Sequence, residues 1–402
     1  MKATGIICEY NPIHNGHIRQ IEYAKKSGAE VIVCVMSGNY TQRGELAIAD
    51  KYTRAKAAIK AGADVVFELP FPFSSMSAEF FARAGVYILS RLSVDTICFG
   101  HECEDIELLY RAAEIITDKA FVDNLNLRGG QGNAKGFFDA LKTALGTEYT
   151  LGSNDILGAY YLAATKELCP EMNVLPIRRN GASYNEGSLL DGILPSANAI
   201  RNEIFKSNSF TGIPRGNIPN AALGVFTSAE ADGLTPVNAS KVSNEILSFF
   251  RLLTPEDIKR RAISLSGGST VLDDGNGIVE RLVSASVDAR SYDEMLNLSY
   301  NSKFTNSRIN RVALFSLFGA SDELKYEHPE YTTLLASSRT GREFLSAIRK
   351  SAKIPIVTKP ADAPRESKQY RISSLADILY ASAIPSTTAP SYFKYLSPYI
   401  EN

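Results

Sequence analysis

The chain has 402 residues, 45% of them hydrophobic and 22% charged, with 43 lysines and arginines against 44 acids. That is the make-up of a folded soluble protein too long for one ordinary core, so two domains are expected, with three the alternative. A net charge of −1 argues neither for nor against a polyanionic partner, while the lack of any run near the roughly 20 apolar residues that cross a bilayer predicts a cytoplasmic protein without a membrane anchor.

Residues 2–8 predict a short apolar strand. A helix over about 15–27 follows, with Ile18, Ile21 and Ala24 on one face and Gly28 as its stop. Residues 31–36 are continuously apolar, as in a strand buried on both faces of a parallel sheet, and residues 37–45 form a polar loop at its carboxyl end. Asp50 is the expected N-cap of a helix reaching Ala61. Residues 64–69 make a third strand ended by Pro70 and Pro72. Ser77 caps the next helix, whose apolar face is Phe80, Phe81, Ala84 and Ile88. A fourth strand, 94–99, stops at Gly100-His101-Glu102. Strands alternating with helices in this way predict right-handed βαβ units, hence an α/β, Rossmann-like parallel sheet. Ligands of such sheets bind beyond the carboxyl ends of the strands, so the polar loops should line one crevice.

A helical insertion is predicted over about 104–150. Its Arg128-Gly129-Gly130-Gln131-Gly132 is either a flexible connection or a phosphate cradle, and the absence of a preceding strand favours the connection. Gly152-Ser153-Asn154-Asp155 opens a helix to about 168, and a fifth strand, 173–177, runs into Arg178-Arg179. Residues 195–201 start another helix. Past residue 210 helical periodicity dominates without strand alternation, which sets the expected division at 1–210 and 211–402. Between Lys303 and Arg371 there are 13 lysines and arginines against 7 acids. Arg308, Arg311, Arg342, Arg349, Lys350 and Lys353 then read either as a solvated helical face or as an RNA backbone footprint. Five scattered cysteines, Cys8, Cys34, Cys98, Cys103 and Cys169, fit reduced core residues, and no spacing suits a zinc site, so no metal ligands are expected.

The chemistry is expected at Ile7-Cys8-Glu9-Tyr10-Asn11-Pro12-Ile13-His14-Asn15-Gly16-His17, where the first strand meets the first helix. Two of the chain's four histidines lie there, three residues apart and so on one helix face. Transfer at the α-phosphate of a nucleoside triphosphate builds negative charge that must be met by donors already in place. Two imidazoles and the free amides of a helix start supply them, and Gly16 is read as room for the nucleotide to approach the backbone. Ser37, Gln42 and Arg43 belong to the same crevice by topology without an assigned role, and Glu9 also reads as a turn residue.

These motifs, together with Ser37-Gly38-Asn39-Tyr40-Thr41-Gln42-Arg43-Gly44-Glu45, Phe99-Gly100, Gly152-Ser153-Asn154-Asp155 and Ile177-Arg178-Arg179, resemble the HIGH-type nucleotidyltransferase superfamily. Over most of its length, including Lys350-Ser351-Ala352-Lys353, the chain is similar to the tRNA(Met) cytidine acetate ligase family. That resemblance implies acetate activation by ATP to acetyl-adenylate, with Mg²⁺ as the usual companion of ATP. It further implies acetyl transfer to N4 of the wobble cytidine of elongator tRNA(Met). It places the ATP site at Ile7 to His17 continuing through Ile18, Arg19 and Gln20, and at Gly100, Asn154, Arg178 and Arg179, with His14 and His17 catalytic. The superfamily's second signature reads here Ser196-Ala197-Asn198-Ala199-Ile200-Arg201, with Asn198 where threonine is usual, which makes Ser196 and Arg201 secondary candidates. Two alternatives stand beside it: a small-molecule adenylyl- or cytidylyltransferase of the same superfamily, and a tRNA-binding protein without catalysis. The oligomeric state is left open.

Overall fold

A computed structural model describes residues 1–127, 134–179, 196–213, 216–275, 277–386 and 391–401; the glycine-rich 128–133 lies outside them. The first half runs β1 (Ala3–Cys8), α1 (Asn15–Lys26), β2 (Val31–Ser37), α2 (Lys51–Lys60), β3 (Val65–Leu69), α3 (Ala78–Arg91) and β4 (Thr96–His101). Helices α4 (Glu107–Thr117), α5 (Lys119–Leu127) and α6 (Ala134–Leu145) lie between β4 and α7 (Ser153–Leu168), which is followed by β5 (Asn173–Arg178) and α8 (Ala197–Ser207). Asp50 does cap α2, accepting the amides of Tyr52 and Thr53 through its side chain, whereas Ser77 precedes α3 without a side-chain cap bond.

The second half comprises α9 (Asn220–Ala231), α10 (Ser243–Leu252), α11 (Pro255–Ser266), α12 (Ile278–Asp288), α13 (Tyr292–Ser299), α14 (Asn306–Phe318), β6 (Thr332–Ser337), α15 (Arg339–Ile348), β7 (Ile356–Val357), α16 (Lys368–Ala383) and β8 (Tyr399–Ile400). It is mainly helical, with one correction to the sequence reading: three strands return to the sheet. The order is β5-β4-β1-β2-β3-β6-β7, with β8 also on β6. Strands β1 to β5 pair in parallel, and β6 lies antiparallel to β3. Thr-Thr-Leu-Leu-Ala-Ser shows neither a long apolar run nor alternation, yet β6 is almost wholly buried, because it has neighbours on both edges.

Alternation along the strands divides the core into two layers. Val31, Val33, Val35, Val65 and Phe67 face α3, α7 and most helices of the second half, while Ile32, Cys34, Met36 and Val66 face α1, α2, α8 and α9. Both halves therefore share one continuous interior. Buried Lys51 ties them together, its Nζ lying 2.7 Å from Glu68 Oε1 on β3 and 2.8 Å from Asp377 Oδ2 on α16.

Candidate active site

The carboxyl ends of β1, β2, β4 and β5 open on one cleft of about 570 Å³. Its floor is the turn between β1 and α1, where Tyr10 takes a left-handed φ of 44° and its hydroxyl sits 3.6 Å from Cys34 Sγ. His14 is the N-cap of α1. The Gly16 amide donates to His14 Nδ1 at 3.1 Å, and the His14 amide donates to His17 Nδ1 at 3.2 Å. The two rings lie 3.8 Å apart and Tyr10 meets His17 edge-on at 4.9 Å.

Those bonds fix the tautomers. Each neutral ring accepts at Nδ1 and so carries its proton on Nε2. Burial, then the nearby Arg179 and Arg201 guanidiniums, pull the His14 pKa down to about 3. Burial, His14 and Arg179 hold His17 well below its ordinary value. The pair is therefore neutral at pH 7 and offers two N–H donors. The space beside Gly16 is taken by His14 itself: a Cβ there would stand 2.8 Å from the ring's Cε1. Gly16 thus serves the imidazole, which corrects its reading as room for the nucleotide.

Of the predicted ATP-binding segment, Ile7, Cys8, Glu9, Tyr10, Asn11, His14, His17 and Gln20 line the cleft. Ile13 is core, Ile18 packs against the core beneath α1, Arg19 faces solvent, and Asn15 instead bonds the carbonyls of Gly216 and Asn217. Pro12, joined to Asn11 by a cis bond, does not line the cleft either. Gly100 on β4, Asn154 on α7 and Arg179, the residue after β5, meet there. A Cβ on Gly100 would stand 3.0 Å from Arg179 Cγ and Cδ, so the glycine lets that side chain lie across the strand end. Asn154 Nδ2 donates to Glu102 Oε1. Arg178, one residue away and hence on the other face, pairs with Glu104 at 2.9 Å outside the cleft. Strand alternation separates the two arginines that the sequence left together.

Among the secondary candidates, Gln42, Arg43, Ser196 and Arg201 line the cleft. The Ser196 side chain accepts the Ala199 amide at the start of α8. Buried Arg201 donates to the Asn11 carbonyl at 2.9 Å and to Asn198 Oδ1 at 3.4 Å, so the unusual asparagine orients the arginine. Ser37 is fully buried and is not a wall residue; its carbonyl accepts from Arg54 at 3.1 Å.

The basic candidates divide. Arg311 lines the cleft beside Thr305, Asn306 and Ser307, the start of α14, and pairs with Asp273 Oδ2 at 2.7 Å; Arg308 pairs with the same aspartate at 3.2 Å. Neither is an exposed cation. Arg342, Arg349, Lys350 and Lys353 belong to α15 and the turn after it, at the opposite end of the sheet. There the Ser338 amide bonds the Asp64 carbonyl before β3, and the Lys353 amide bonds the Arg91 carbonyl before β4. The Arg342 guanidinium is occupied by the Glu401 carbonyl, and the other three are exposed. The six cations therefore do not make one patch.

Sequence reasoning missed two contributors. Arg54, at 0% exposure, reads as an ordinary helix cation, and nothing in the sequence brings the start of α14, with Thr305, Asn306 and Ser307, to this cleft. Among the described residues, His101, Cys103 and Asp155 cluster closely enough to hold a metal. Asp155, however, already accepts the amides of Glu102, Cys103 and Gly152 and the Tyr149 hydroxyl, and burial raises the Cys103 thiol to about 12. The trio fastens β4 to α7.

A family model for the HIGH nucleotidyl transferases matches residues 1–393. The tRNA(Met) cytidine acetate ligase of Acetivibrio thermocellus is 34% identical, with 94% of each chain covered, and that of Syntrophotalea carbinolica is 34% identical over 93% of this chain and 90% of its own. The crystal structure of apo Thermotoga maritima TmcAL superposes with a TM-score of 0.86 at 29% identity, both chains covered in full; the form bound with alpha-thio ATP gives 0.85 at 28%, again over both full lengths. With paired imidazoles at the first βα turn and these likenesses along its whole length, the chain belongs to the tRNA(Met) cytidine acetate ligases of the HIGH nucleotidyltransferase family.

Proposed function

We propose that this protein uses ATP to activate acetate as acetyl-adenylate and passes the acetyl group to N4 of the wobble cytidine of elongator tRNA(Met). The supporting observation is the pair of neutral imidazoles whose Nδ1 atoms are occupied by backbone amides. An acetate oxygen attacks the α-phosphorus and pyrophosphate leaves. The Nε2–H groups of His14 and His17, preset by those amides, donate to the non-bridging oxygens as charge accumulates. The amino end of α1 adds its partial positive charge. Arg179 and Arg201 contribute fixed cations for the polyphosphate, and Gly100 and Asn154 border the adenosine on the β4 and β5 side.

Mg²⁺ is expected to arrive on the triphosphate. Glu9 is the only carboxylate among the described cleft-lining residues, so those residues supply no carboxylate pair dedicated to that ion, and no step is assigned to it. For the RNA, Arg349, Lys350 and Lys353 are proposed as a backbone contact remote from the cleft. The direct test supplies ATP, labelled acetate and elongator tRNA(Met). Acetylated cytidine is expected; its absence overturns the reading.

A further inference from the structure

We infer that the Glu9 carboxylate is the general base that takes the proton from the cytidine amine during acetyl transfer. This rests on the ligase reading above and adds a catalytic residue to it. The exocyclic nitrogen of cytosine donates its lone pair to the ring and is a poor nucleophile, so forming its bond to the acetyl carbon requires removal of a proton. As the N4–carbon bond forms, the bond from acetyl carbon to phosphate oxygen breaks, its electron pair leaves with AMP, and one N4 proton passes to Glu9.

Among the described residues of the cleft, the other titratable groups are unsuited to that step. His14 and His17 accept backbone amides at Nδ1 and present protonated Nε2 atoms, so they donate. Burial raises Cys8, Tyr10 and Tyr161 far above neutrality, which keeps them protonated. Arg43, Arg179, Arg201 and Arg311 are cations. That leaves Glu9. Its Oε1 accepts the Gln42 amide at 2.7 Å, and a carboxylate held by one oxygen can take a proton on the other. Its place also fits. With β1 between β4 and β2, the β4 and β5 loops take the adenosine and the α1 turn takes the α-phosphate. Glu9 and Gln42 stand on the remaining β2 side, where an acceptor must approach. Burial raises the Glu9 pKa while Arg201 and Arg43 lower it. The groups facing it are Arg43 and Glu45 on the β2 loop, Arg54 on α2, Tyr161 on α7 and Arg201 on α8.

The experiment compares wild type, Glu9→Gln and Glu9→Ala in two assays: acetate-dependent ATP–pyrophosphate exchange, and single-turnover acetylation of elongator tRNA(Met) as a function of pH. Glutamine keeps an oxygen for the Gln42 amide but cannot act as a base. The expected result for Glu9→Gln is acetyl transfer reduced about 10²–10⁴-fold, exchange reduced at least tenfold less, and the acid limb of the transfer profile lost. Three results overturn the assignment: equal loss in both assays, which makes Glu9 part of the ATP or metal site; retained transfer in Glu9→Gln with loss only in Glu9→Ala, which makes it a loop anchor; and an unchanged pH profile. Wild-type protein that forms no acetylcytidine overturns instead the reading on which this one rests.

Discussion

Arg54 Nη1 donates to the carbonyl oxygen of Glu9 at 2.6 Å from a side chain with no exposed surface. The same guanidinium bonds the carbonyls of Ala49, Ser37 and Gly38. One buried cation thus gathers the ends of β1 and β2 and fixes the spacing of the two loops that carry His14 and Gln42. Replacing Arg54 with Met strands those carbonyls without donors. A loss of about 3–5 kcal/mol is expected, measured as a shift of the urea unfolding curve at unchanged slope. A loss below about 1 kcal/mol would mean that water or relaxation replaces the guanidinium.

For the paired imidazoles, asparagine and glutamine separate two jobs. Asparagine puts an oxygen near Nδ1 and preserves the cap of α1, but it removes the Nε2–H donor. Glutamine places an amide near Nε2 instead. At either His14 or His17, asparagine is expected to lower acetate-dependent pyrophosphate exchange about 10²–10³-fold, with glutamine clearly more active. Equal activity of the two variants would remove Nε2–H donation from the mechanism.

The depressed pKa of His14 also ties stability to pH. Its ordinary value is 6.5 and its folded value about 3, so between those values the unfolded chain takes up a proton that the folded chain refuses. Stability from this group is complete above about 6.5 and falls as the solution is acidified toward 3; His17 acts in the same direction. Urea midpoints measured from pH 7 down to pH 4 should fall less steeply for His14→Asn than for wild type. Parallel curves would contradict the buried, neutral ring.

Arg178 and Arg179 differ in what they face. Arg179→Ala should weaken ATP binding roughly 10- to 100-fold, as for loss of a charged hydrogen bond. Arg178→Ala removes only the half-exposed pair with Glu104 and should change it less than about twofold. Titration calorimetry with ATP reads both, and a larger effect at Arg178 would invert the assignment.

Charge reversal at Arg349, Lys350 and Lys353 tests the remote RNA contact. Affinity for elongator tRNA(Met) should fall, and the slope of log affinity against log salt should shrink by up to about 0.9 per phosphate contact removed. Exchange with acetate and ATP should be unaffected. An unchanged salt slope would leave those residues as ordinary surface cations.

The first hundred residues were legible because both signals there are local. Apolar runs such as Val31–Ser37 are long, and punctuation such as Asp50 acts within one turn of its helix. The pairing of His14 with His17 was visible in their spacing, but a cap and not a shared helix face brings the rings together: His14 is extended ahead of α1 and its amide donates to His17 Nδ1. What stayed hidden depends on distant partners. Strand β6 is recognisable only once β3 stands beside it, Arg54 gains its role from four carbonyls, and Arg311 reaches the cleft from almost three hundred residues away. The choice between Arg178 and Arg179 needed the exact end of β5, and a sequence pattern places element ends only to within about two to four residues.

The pairing of β3 with β6 has a consequence for synthesis. Strand β3 ends at Leu69, and the strand that covers its edge ends at Ser337. A ribosome adding about 5–20 residues per second leaves that apolar edge open for roughly ten seconds to a minute, long enough for a stray strand to add to it. The nucleotide-binding half, although nearest the start of the chain, therefore cannot finish folding when it emerges. It must wait for residues that the ribosome makes late, and the edge of β3 stays without its native partner for that interval.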